Sequence, residues 1–169
     1  MRCGKILFKQ NTELFDVRLD SSKIKKIICD MADANGYSFR DASLQGDDFR
    51  IFLVPPGSSA ETVEVFKEKN SDAVCCGAGL VMGGEQREKF LAQEHTKREK
   101  LRDDLKNLDA VNSLDFFHIE DDGSNFIVTM RCEFSPSGNV EDTFEDCMNR
   151  INLAGYSVEE EWDRFFEEL

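Results

Sequence analysis

Apolar and polar positions alternate in two rhythms along this chain, and the switches between them outline its elements. Phe15, Val17 and Leu19 alternate with Asp16 and Arg18, the period of a half-buried strand. Asp20-Ser21-Ser22 then offers an N-cap, and Ile24, Ile27, Ile28 and Met31 follow at helical spacing. Gly36 stands where that helix should end, because glycine takes up the left-handed backbone of a helix exit without strain. An extended segment over 37–42, a turn at Gly46-Asp47-Asp48 and a strong strand over 49–54 come next. Pro55-Pro56-Gly57 stops the strand. Ser58 followed by Glu61 has the form of a capping box, and Val63 and Phe66 share one face of the helix it would open. A short buried strand over 73–76 completes the order strand, helix, strand, strand, helix, strand. That order is the βαββαβ pattern of a ferredoxin-like unit.

The second half repeats this grammar. A long charged helix is predicted over 85–108, a strand over 114–120, a turn at Asp121-Asp122-Gly123 and a strand over 125–134. In that last strand Phe126, Val128, Met130, Cys132 and Phe134 fall on one face. Asn139 is placed to cap a helix with Phe144, Cys147, Met148 and Ile151 at core spacing. Gly155-Tyr156-Ser157 then echoes Gly36-Tyr37-Ser38, which predicts a second helix exit followed by a brief strand. Ser157 and Glu160 form another capping box. Beyond it Trp162, Phe165, Phe166 and Leu169 stand at i, i+3, i+4 and i+7, the stripe of an amphipathic helix. The expected fold class is α+β: two ferredoxin-like units in tandem, over 1–80 and 81–169, with antiparallel sheets and helices packed on one face. Residues 126–162 resemble, in their strand-helix-Gly-Tyr pattern, the small acidic ferredoxin-like regulators of ribonuclease E. That resemblance implies a protein partner.

Charge sharpens this picture. The 169 residues include 34 acids and 21 bases, for a net charge of −13. Residues 1–112 hold 19 acids and 18 bases, whereas residues 113–169 hold 15 acids and 3 bases. The second unit therefore carries nearly all of the imbalance. Such acidity argues against a general nucleic-acid binder, which needs basic surface, and against docking on an anionic membrane. No segment has the ~20 apolar residues of a membrane span or the pattern of a signal peptide. The expectation is a cytoplasmic protein whose six cysteines are reduced.

Candidate chemistry is sparse. Cys75-Cys76-Gly77 resembles the signature of the cysteine-rich CCG domain of heterodisulfide-reductase-type subunits, but the later Cys-x-x-Cys pair of that family is absent. With two histidines and no paired-ligand spacing, no metal site is expected. Gly77, Gly79, Gly83 and Gly84 lie between a strand and a helix, the context of an anion-binding loop. The spacing departs from Gly-x-Gly-x-x-Gly by one position, and Glu85 and Glu88 stand where phosphate would sit. Asp47-Asp48 and Asp121-Asp122 lie in turns, where aspartate serves backbone geometry. No serine elbow or histidine-based triad supports catalysis, so no catalytic residue and no cofactor are assigned. The terminal segment is the leading candidate. Glu159, Glu160 and Glu161 beside Trp162, Phe165, Phe166 and Leu169 would let a helix lay its apolar face in a partner's groove while its acids meet a basic rim. The function expected is a non-catalytic regulator or adaptor that binds a basic protein surface. Alternatives are a nucleotide or small-anion binder at 77–84, and an acidic mimic of nucleic acid that occupies a DNA-binding protein.

Overall fold

Asp20 opens the first helix as its spacing predicts: its carboxylate accepts from the backbone N–H groups of Ser22 and Lys23. Helix α1 runs Ser21–Ala34 and buries Ile24, Ile28 and Ala32. Gly36, at φ +77°, turns the chain out of it. The structure, a computed structural model, describes residues 19–56, 63–121 and 126–167. After α1 come strands β1 (Ser38–Asp41), β2 (Asp47–Val54), β3 (Val63–Glu68) and β4 (Val74–Met82). Helices α2 (Gly84–Leu91), α3 (His95–Lys106) and α4 (Asp109–Asn112) follow, then β5 (Phe116–Asp121), β6 (Phe126–Phe134) and helix α5 (Val140–Glu167). No helix among the described residues is long and apolar enough to cross a membrane.

The six strands form one sheet in the order β1-β2-β3-β4-β6-β5, and all five pairings are antiparallel. The α+β class is therefore as expected, but the ferredoxin-like order is not. A βαββαβ unit needs a crossover helix, and the helix expected after Ser58 is instead strand β3. Val63 and Val65 are β-branched and alternate with Glu64. Both are buried, and both lie between paired neighbours on either side. A capping box contributes about 1 kcal/mol. Burying two valines contributes about 1.5–3 kcal/mol each. The capping-box residues 58–62 and the strand expected over 15–18 lie outside the described residues.

Strand β4 is longer than the 73–76 predicted and runs through residue 80. Its first part pairs with β3 and its whole length pairs with β6, so one sheet is continuous across the boundary expected at 80/81. The single helix expected over 85–108 is broken into α2 and α3, and the short α4 follows it. Side-chain amides of Gln93 and Asn107 donate to the carbonyls of Lys89 and Asp103 at the ends of α2 and α3. The breaks let Phe90, Leu101, Leu105 and Val111 all reach one core.

Helix α5 holds the molecule together. Its 28 residues span about 42 Å. Phe144, Cys147 and Ile151 pack in a core with α1, β2, β3 and the near ends of β4 and β6. Ala154, Val158 and Trp162 pack in a second core with α2, α3, α4 and the far ends of β4 and β6. Gly155 is thus inside the helix, not at its exit, and the brief strand expected after it is absent. A mid-helix glycine costs about 0.5–1 kcal/mol against alanine. Breaking there would expose Val158 and Trp162, each worth about 1.5–3 kcal/mol when buried, so packing wins.

This geometry separates two glycines that look alike in the sequence. A Cβ at Gly155 would meet only Met130 Cε, at 3.9 Å, so Gly155→Ala is expected to raise the stability measured by urea unfolding by about 0.5–1 kcal/mol. Gly36→Ala, at positive φ, is expected to lower it by about 1 kcal/mol. Loss of stability in both would mean that Gly155 ends a helix.

Candidate functional site

The stripe of Trp162, Phe165 and Phe166 is helical, as its spacing predicts, and it faces inward. Trp162 is 8% exposed and its ring lies 5.8 Å from that of Phe126. Phe90 stacks between Phe126, at 5.0 Å, and Phe165, at 6.2 Å. Phe165 and Phe166 are half-buried against the same core. Leu169 lies outside the described residues. Three acids chosen with them divide. Glu161 is buried, pairs with Arg164 at 2.7 Å, and lines a cleft of about 410 Å³ between α3 and α5. Across that cleft stand Lys97 and Lys100 of α3. Glu159 and Glu160 are exposed.

The outward face of α5 is where the acids gather. The helix carries nine acids against two bases. Asn149, Leu153, Tyr156, Glu160 and Asp163 succeed one another at intervals of three or four, and all are exposed. Leu153 is 59% and Tyr156 72% exposed, high values for large apolar side chains. They form a short ridge with Glu145 and Asp146 toward the N-terminus and Glu160 and Asp163 toward the C-terminus. The sequence hides this pair because Gly155 reads as a break in the helix. The signal was present: Phe144, Met148, Ile151, Ala154, Val158, Trp162 and Phe165 continue at helical spacing straight through residue 155. A continuous inward stripe fixes what points outward.

Two of the four glycines expected to cradle an anion lie in a strand and not in a loop. Gly77 and Gly79 lie inside β4, Gly83 precedes α2, and Gly84 is its first residue at φ +55°. A Cβ on Gly77 would come within 3.3 Å of Arg131 Cγ, so this glycine leaves room for a neighbouring strand's side chain. Glu85 sits in the first turn of α2 and pairs with Lys89 at 2.8 Å.

Cys75 and Cys76 point to opposite faces of β4. Cys76, Cys132 and Cys147 are buried together in the first core. A hydrogen bond with Cys147 and burial hold the Cys132 thiol well above its usual range. Cys75 is half-buried, and its Sγ donates to Glu133 Oε1 at 3.5 Å. Burial first, and the Glu133 carboxylate second, push its thiol up to about 12. No group of three or more His, Cys, Asp or Glu side chains among the described residues is arranged to hold a metal ion.

No family model and no curated protein matches the chain. Its fold is similar to the crystal structure of an uncharacterized protein from Methanothermobacter thermautotrophicus, with a TM-score of 0.70 and 15% identity. The likeness covers 87% of this chain and 99% of that one. At this identity it shows the fold alone.

The thiol environment predicts low reactivity. With its proton held to about pH 12, Cys75 in the folded protein is expected to react with iodoacetamide at pH 8 at least ~100-fold more slowly than a free cysteine thiol, because the thiolate is the nucleophile. Its rate should rise about tenfold per pH unit through the alkaline range. Residue-resolved mass spectrometry checks this, and Glu133→Gln is expected to speed the reaction.

Proposed function

We propose that this protein is a non-catalytic adaptor or regulator that docks on a basic protein surface through the outward face of α5. The carrying observation is the exposed pair Leu153 and Tyr156, set in the most acidic element of the chain. Interfaces draw most of their energy from a few apolar or aromatic anchors, and tyrosine is prominent among them. The surrounding acids contribute steering and partner choice more than affinity. Glu159 and Glu160, both exposed, supply acids to this contact. Trp162, Phe165 and Phe166 act indirectly, because their packing on the sheet turns Leu153 and Tyr156 to the solvent. The arrangement moves the apolar contact one face around the helix without changing the class of partner.

A photo-crosslinking amino acid at position 156, introduced in cells that make the protein, reads this directly. The expected adduct is with a protein whose contact surface is basic. Leu153→Ala with Tyr156→Ala is expected to weaken that complex by more than tenfold, and Glu159→Lys with Glu160→Lys to slow its association. Thermal unfolding of both variants should match the parent, since all four side chains are exposed. A complex that forms equally with the double alanine variant would refute the proposal.

A further inference from the structure

The sheet has a second face on which no described helix packs. The apolar side chains buried by all five helices belong to two cores built on one side of the sheet. On the other side, register places Arg40, Phe52, Glu64, Gly77, Arg131 and Phe116 in one row, read in the strand order β1-β2-β3-β4-β6-β5. The adjacent row holds Arg50, Phe66, Cys75 and Glu133 on β2, β3, β4 and β6. Both signs of charge therefore share this face with aromatic rings.

Part of that charge is answered within the chain. Asp47, at 2.7 Å, and Glu64 hold Arg50 over the Phe66 ring. The rest is not. Arg40 and Arg131 have no carboxylate partner among the described residues, and they lie against rings: Arg40 5.4 Å from the Phe52 centroid, Arg131 5.5 Å from that of Phe116. Glu68, Glu120 and Glu133 are exposed and have no cationic partner among the described residues. Apolar surface is open beside them, with Phe116 46% and Val81 62% exposed. A patch that offers unpaired cations, unpaired carboxylates and rings together has what a copy of itself needs, because a two-fold contact requires a self-complementary surface.

The rows show that complementarity position by position. A two-fold axis along the strands, between β3 and β4, lays a second copy face to face with its strand order reversed and its rows kept in line. Arg40 then meets Phe116 of the second copy, and Phe52 meets its Arg131. Glu64 meets Gly77, which leaves room for it beside the unpaired Arg131 of that copy. In the adjacent row Arg50 meets Glu133, and Phe66 meets Cys75. An axis across the strands, along the row, would instead set Arg131 on Arg131 and Glu64 on Glu64, and like charges repel. Strands averaging about seven residues, six abreast at ~4.8 Å, make a face of roughly 700 Å². A standard interface buries about 800 Å² per partner.

We propose that this face is the contact of a two-fold symmetric homodimer, in which two sheets pack face to face with their strands aligned. Helix α5 lies across the sheet from the contact, so the dimer presents two Leu153–Tyr156 ridges on opposite sides. Either surface can fail without the other.

Sedimentation equilibrium of the full chain tests it, from about 1 to about 300 μM, a range that spans the micromolar dissociation constants of weak interfaces of this size. The mass is expected to rise with concentration from 19.3 kDa toward twice that value. Phe116→Ala and Glu133→Arg are each expected to weaken the dimer about tenfold or more, whereas Tyr156→Ala leaves it unchanged. Both Phe116 and Glu133 are exposed, and unchanged thermal unfolding of the dilute variants separates a lost contact from a lost fold. A benzophenone amino acid at position 116, in a mixture of isotopically light and heavy protein, reads the orientation. The expected adduct joins two chains and falls in β1 around Arg40. A single-chain mass across the whole range would overturn the proposal. So would a dimer that neither substitution weakens, or one whose adduct falls on α5.

Discussion

Two hydrophobic cores lie side by side on one face of a single sheet, and one helix has to cover both. This constraint on α5 decides most of what the rest of the molecule can do. The helix is long because it must reach from Phe144, packed near α1, to Trp162, packed on Phe126. It carries a glycine in the middle and stays helical, because the side chains beyond Gly155 gain more from burial than the glycine loses. Its inward stripe is continuous, so its outward face is continuous too. Helices α2, α3 and α4 are short for the same reason: each turns to bring one or two apolar side chains to the far core, which a straight helix could not do.

Charge follows from this layering. The acids of α5 cannot enter the cores, so they collect on its outer side and at its end. Glu161 is the exception, buried beside Arg164 and across a cleft from the lysines of α3. Part of the acidity is therefore answered within the molecule, while Glu160 and Asp163 remain turned to solvent around Leu153 and Tyr156. The opposite face of the sheet keeps its arginines. The net charge of −13 thus describes neither surface well, since α5 is strongly acidic while the opposite face of the sheet mixes Glu64 and Glu133 with Arg50 and Arg131.

The sequence was most legible where local signals agreed with one another. The cap at Asp20, the exit at Gly36 and the alternation of Phe126, Val128 and Met130 each named an element correctly, and the α+β class follows from them. It was least legible where a weak local signal opposed long-range packing. The capping box at Ser58 and Glu61 pointed to a helix where Val63 and Val65 pair on both sides as β3. Gly77 and Gly79 suggested a loop, although a strand paired over its length by β6 absorbs them and Arg131 covers the first. Gly155 repeated the look of Gly36 but not its backbone. The acidic terminal region was found from composition. The face it presents was not, because orientation depends on whether residues 140–167 form one helix, and no short window contains that information.

Amide hydrogen exchange along α5 is the decisive measurement, because the direction in which Leu153 and Tyr156 point depends on helical continuity through Gly155. If one helix roofs both cores, the amides of Gly155, Tyr156 and Ser157 exchange as slowly as those of Met148–Ile151 and open with them as a single cooperative unit. Rapid exchange confined to those three residues, with slow exchange on either side, would show a break in the helix and would contradict the assignment of its outward face.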